Sequence, residues 1–147
     1  MLLDSNLIIY ASQPKHESLR AFIAREAPHV SVISKVETLG YHRLSQREQQ
    51  FLSAFFDAAQ VLPVSQSVVG AAIRLRQERS VSLGDALVAG TALAYDLPLA
   101  THNTSDFAWI DELRLLDPVS EDPVATGSIP SHSTGRTKFS QTEQLCR

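Results

Sequence analysis

The chain has 147 residues, 44% hydrophobic and 20% charged, with 13 Lys/Arg against 16 Asp/Glu for a formal charge of −3. This is the length and composition of one globular domain, which excludes wholesale disorder and a protein that holds nucleic acid by bulk positive charge. No apolar run approaches the roughly 18 residues of a membrane span, and a single cysteine, Cys146, excludes a disulfide framework or a cysteine-based zinc site.

Met1-Leu2-Leu3 is a short apolar run that reaches Asp4 at once, without the basic and long apolar regions of a signal peptide. A cytoplasmic location with no membrane association is therefore expected. Helix patterns follow over 6–12 and 17–27, then a β-rich run at His29–Ile33, and helix patterns again over 35–43 and 46–59. A third apolar run spans 61–64, and an amphipathic stretch covers 67–79. Residues 83–95 (LGDALVAGTALAY) are apolar nearly all round, which predicts a helix sunk between layers, with Gly84 and Gly90 allowing close backbone approach. Runs at 98–101 and 114–116 complete the series. Short β-rich runs alternating with helices predict an α/β fold: a central parallel sheet of four to five strands flanked by helices on both faces. Residues 1–118 form this domain and carry 10 of the basic and 13 of the acidic residues. From 119 to 147 the text is rich in Ser, Thr, Pro and Gly and reads as a loose tail.

In an open α/β sheet, ligands bind outside the carboxyl ends of the strands. Asp4 closes the first run, Glu37 follows the second after Ser34-Lys35-Val36, and Asp106 follows the 98–101 run. Asp85 opens the apolar helix that leads into that last run, so its start belongs at the same sheet edge. Four clustered carboxylates repel one another unless a cation neutralises them. Oxygen-only ligands suit Mg²⁺, with Mn²⁺ also possible, and such an ion polarises a phosphoryl oxygen and acidifies a water. Ser5 and Thr101 add hydroxyls, and Asn6 and Asn103 add amides, that can orient the acids or position substrate.

Each acid also has a purely local reading. Ser34-x-x-Glu37 fits a capping box, Ser82-x-x-Asp85 its looser form, and Asp4 and Asp106 can each cap a following helix. The convergence of all four on one edge favours a site over four independent caps. A capping role also leaves Asp85 beside an apolar helix with no basic neighbour in sequence.

MLLDSN, VISKVETLG, SLGDALVAGTAL and LATHNTSDF, in that order, resemble the four motifs of the PIN-domain ribonucleases, and most of all the VapC-type toxins of bacterial toxin–antitoxin pairs. The resemblance covers about residues 1–118. It implies a PIN-like fold and a metal-dependent endoribonuclease in which Asp4, Glu37, Asp85 and Asp106 bind Mg²⁺ or Mn²⁺ and direct water at an RNA phosphodiester. It also implies a small cognate antitoxin as partner. Ser5 stands where the family usually has Thr, Asn6 matches its Asn, and Thr101 and Asn103 match its T-x-N. Gly90 stands where Ala is more frequent, and the tail has no counterpart.

The remaining features read more plainly. His102, between Thr101 and Asn103, is expected to be solvated rather than to touch a phosphate. Arg43, Arg47, Arg74, Arg76 and Arg79 read as a solvated face or a basic rim toward RNA. Phe51, Leu52, Phe55 and Phe56 read as core, or as a face that extends into a homodimer or antitoxin groove. A phosphatase of the haloacid-dehalogenase type also begins with strand-Asp, but it needs a second Asp where this chain has Asn6. The non-enzymatic alternative, an inactive PIN-like module that binds a partner or DNA, is disfavoured by the presence of all four acids.

Overall fold

The computed structural model describes residues 1–119. The expected tail from residue 120 onward, with Cys146, lies outside the described residues. Along the chain come β1 (Leu2–Leu3), α1 (Ser5–Ala11), α2 (Glu17–Glu26), β2 (His29–Ser31), α3 (Val32–Leu39), α4 (Gln46–Ala58) and β3 (Gln60–Leu62). After these come α5 (Gln66–Glu78), α6 (Leu83–Ala94), β4 (Leu99–Ala100), α7 (Thr104–Phe107) and β5 (Leu115–Leu116). The strands form one parallel sheet in the order β3-β2-β1-β4-β5, with β1 at its centre.

Successive strand residues face opposite sides, and the register turns this rule into two cores. Leu3 is paired with Val30 and Ala100, and all three belong to the core beneath α1, α2 and α4. Leu2 is paired with Leu99, and both belong to the core that holds Leu75 of α5, Val88, Ala89 and Ala92 of α6, and Phe107. Helices thus cover both faces, as the alternating pattern predicts. Leu2, Leu3 and Leu99 are completely buried, each worth roughly 1.5–3 kcal/mol of transfer free energy. A charged residue at any of the three would break one layer.

The expected apolar helix is α6. Ala86 and Val88 through Ala92 are buried, while Leu83 and Tyr95 at its ends are exposed. Gly90 is required by its contact with α5: an added Cβ would stand 3.0 Å from the Val68 carbonyl oxygen and 3.1 Å from the Ala72 nitrogen. The helix ends through Asp96, in the left-handed region at φ 54°. The Leu97 N–H then donates back to the Ala92 carbonyl at 2.8 Å, which turns the chain into β4.

Two boundaries differ from the sequence reading in a way that bears on function. The second β-rich run stops at Ser31, and Val32 already begins α3, with the Ser31 hydroxyl accepting from the Ile33 N–H at 3.1 Å. The capping-box reading of Ser34 and Glu37 is therefore overturned: Ser31 caps the helix, and Glu37 lies in its second turn. Likewise Asp106 sits within α7, whose N-cap is Asn103, so it does not cap a helix beginning at Phe107. Phe51 and Phe55 pack around the buried Leu52 and Phe56 as core. Among the described residues no helix is long and apolar enough to cross a membrane.

Candidate active site

The order β3-β2-β1-β4-β5 places the reversal of strand order between β1 and β4, and a crevice opens at the carboxyl ends of that pair. Asp4 and Thr101 are the first residues past these two strands. The Asp4 N–H donates to the Ala100 carbonyl at 2.9 Å, and the Thr101 hydroxyl donates to Asp4 Oδ2 at 2.8 Å, directly across the switch point. Thr101 Oγ1 in turn accepts from the Asn103 N–H at 3.0 Å. Asp4 is indeed the N-cap of α1, its Oδ1 accepting from the Ser5 N–H at 2.8 Å, so the capping reading accounts for one oxygen and Thr101 for the other.

Ser5 carries the site onward to α3. Its hydroxyl stands 2.8 Å from Ser34 Oγ and 3.0 Å from Glu37 Oε1. Ser34 is fully buried. Sequence reasoning assigned it only a capping role, and its actual partner lies 29 residues away, beyond any local pattern. Gly84 completes this side, because an added Cβ would fall 2.3 Å from Glu37 Oε2. The first turn of α6 can approach the Glu37 carboxylate only without a side chain at that position.

Asp85 and Asp106 lie on the other side, where they line a cavity of about 500 Å³ together with Arg79, Ser80, Val81, Ser82, Ser105 and Trp109. Ser82 caps α6 by accepting from the Asp85 N–H at 3.1 Å. The Trp109 indole N–H donates to the Asp106 carbonyl at 2.9 Å, and Phe107 packs in the core below.

Charge joins the two sides. Burial pushes the Asp4 carboxyl up from 3.8 to about 7. The charge of Asp85 adds to the shift and that of Glu37 adds less, while the hydrogen bonds from Thr101 and Ser5 pull the other way. Asp4 is thus linked to Glu37 through Ser5 and by charge, Asp4 to Asp85 by charge, and Asp85 to Asp106 through a shared cavity. As the side chains lie, no three acidic or imidazole groups among the described residues stand close enough to enclose an ion. The donor chemistry nevertheless fits a hard divalent cation: the groups are oxygens only, and a carboxyl raised by burial and by acidic neighbours is what such an ion relieves. Asn6 fits as well. It is 1% exposed, and neither its Oδ1 nor its Nδ2 has a hydrogen-bond partner, the signature of a group that binds a water or a ligand oxygen.

His102 departs from expectation. Its Nδ1 lies 3.1 Å from Asp117 Oδ2, and its ring stands edge-on to Tyr10 at 6.0 Å, so it ties the end of β4 to the segment after β5. The expected basic face also divides. Arg74 pairs with Glu78 and Glu112, Arg43, Arg47 and Arg76 are exposed, and Arg79 alone among these five lines the cavity.

Solved structures share this architecture. A chain of VapBC2 from Rickettsia felis, a complex bound to a DNA fragment from its promoter, matches with a TM-score of 0.70 and 23% identity over 78% of this chain and 96% of that one. DNA-bound VapBC from Salmonella typhimurium gives 0.70 and 23% over 80% and 96%. A toxin–antitoxin complex from Klebsiella pneumoniae gives 0.60 and 26% over 80% and 96%. No curated protein sequence matches significantly. The PIN domain model matches residues 1–113, a stretch that contains all four acids and every residue linking them, and the chain belongs to the PIN-domain family.

Proposed function

We infer that the protein is a metal-dependent endoribonuclease and the toxin of a toxin–antitoxin pair. The observation that carries this reading is Asp4, a buried carboxyl raised to about 7 at the sheet's switch point by burial and by Asp85 and Glu37. So costly an arrangement has a use when a divalent cation is bound. Mg²⁺ or Mn²⁺ bound there would acidify a water and neutralise charge on a phosphodiester. Asp4, Glu37 and Asp85 would hold the ion. Asp106 would complete the site or hold the attacking water. Thr101 fixes the Asp4 carboxylate through Oδ2, and Ser5 orients Glu37 through Oε1. Asn6 and Asn103 are the amides beside the acids, available to a water or a substrate oxygen.

The likeness to chains of VapBC and other toxin–antitoxin complexes supports a small cognate antitoxin as partner, and a homodimer is the assembly we assign to the free toxin. Family membership removes the phosphatase alternative. The test is cleavage of total RNA by the purified protein with and without Mn²⁺, with the cleaved ends mapped. Asp4→Asn and Asp85→Asn should both abolish it. Undiminished cleavage by both variants, or in the presence of a chelator, overturns the mechanism.

A further inference from the structure

The cavity beside Asp85 and Asp106 contains more than its acids. Arg79, at the end of α5, places its guanidinium carbon 5.6 Å from the centroid of the Trp109 ring. Arg74, earlier on α5, is by contrast engaged by Glu78 and Glu112. The cavity of about 500 Å³ is large enough for one nucleotide, and the guanidinium and indole that line it are chemically suited to one. The ring is also held still, since its N–H donates to the Asp106 carbonyl at 2.9 Å. A group stacked on Trp109 is therefore placed relative to the fourth acid. Serine hydroxyls from Ser80 and Ser105, which also line the cavity, are available to ribose or base edges.

We propose that Arg79 and Trp109 bind one unpaired nucleotide of the RNA next to the phosphate that is cut, Trp109 by stacking and Arg79 by charge. The pair fixes register and selects single-stranded substrate, because a base can reach the ring only when it is splayed from a helix. This rests on the nuclease reading above and extends it from the reacting acids to a positioning pair.

Trp109 is the single tryptophan of the chain, so its fluorescence reports this cavity alone. The full-length protein is titrated, with Ca²⁺ as the hard cation, against a single-stranded RNA nonamer. Tryptophan emission is read in one series and anisotropy of the fluorescein-labelled nonamer in another. Quenching is expected to saturate with the same midpoint as the anisotropy. Arg79→Ala should weaken binding about tenfold and reduce the log–log salt slope by about 0.7. Under Mg²⁺ turnover it should raise KM and leave kcat near wild type. Trp109→Ala should raise KM about tenfold, and Trp109→Phe should restore most of that. Arg79 is exposed, so its variant tests the proposal even if Trp109→Ala does not fold. RNA that binds or is cut while emission stays constant and Arg79→Ala keeps its KM overturns the pair and leaves the nuclease reading standing. RNA neither bound nor cut by the wild type overturns both.

Discussion

The two sides of the site surround their acids differently. On the β1–β4–α3 side, Thr101, Asp4, Ser5, Ser34 and Glu37 form a chain of short hydrogen bonds, and all but Glu37 are buried. On the α6–α7 side, Asp85 and Asp106 line a cavity beside an exposed arginine and a half-buried indole. The first side has its geometry fixed before any ligand arrives, at the cost of a buried carboxyl. The second leaves room for a nucleotide. A site so divided keeps reorganisation low where charge must be placed and leaves space where substrate must enter.

The strongest test of this division is Asp4→Asn. Cleavage should fall by more than about 100-fold, beyond the usual loss for a residue that merely supports a ligand. The same variant should improve stability in chelator. Burial and its acidic neighbours raise Asp4 to about 7 in the fold from its ordinary 3.8, so between those values the folded state holds a proton that the unfolded state has released. Stability from this group is complete below about 3.8 and is lost as pH rises toward 7. Denaturant melts at pH 5, 6, 7 and 8 should show a decline on the order of a few kcal/mol for the wild type. The decline should be absent in the variant and relieved by Mg²⁺. A flat wild-type profile would remove the claim that Asp4 is held against its own charge.

Thr101→Val comes next. It deletes the donor to Asp4 Oδ2 and the acceptor of the Asn103 N–H, moves the Asp4 titration still higher, and should cost about 10–100-fold in metal affinity or activity. Isothermal titration with Mn²⁺ separates the two. Gly84→Ala acts at the seam between the sides. Its new Cβ would displace the Glu37 carboxylate, the far end of a flexible side chain, so the fold should tolerate it. Alanine also gains up to about 1 kcal/mol of helix propensity. We expect several-fold weaker cleavage with an unchanged or higher Tm, a combination that a purely structural glycine would not give.

The parallel sheet, its two-faced alternation and the apolar α6 were legible because periodicity and burial are local properties of the text. So was the position of Asp4 directly after β1. The start of α3 was not legible. Val32 and Ile33 are β-branched and extend the strand pattern, and only the bond from the Ile33 N–H to Ser31 shows that the helix has begun. That two-residue misplacement made Glu37 look like a cap. The Ser5–Ser34 bond, the His102–Asp117 pair and the Arg79–Trp109 contact link residues 29, 15 and 30 positions apart. No local pattern encodes such pairs, because they exist only once the sheet brings elements distant in sequence together.

Ser82→Ala gives the smallest effect and separates capping from chemistry on the open side. Ser82 accepts from the Asp85 N–H at 3.1 Å, while the Asp85 side chain lines the cavity. Removing the hydroxyl leaves the first turn of α6 without its cap, which costs about 1 kcal/mol. The bond joins Ser82 to the Asp85 backbone. Cleavage at a temperature where the variant stays folded should therefore change by no more than about twofold, within the size of a modest cap loss. If instead activity falls as far as in Thr101→Val, Ser82 orients Asp85 as strictly as Thr101 orients Asp4. The two sides would then be built on the same plan, and the contrast between a fixed and an open half would fail.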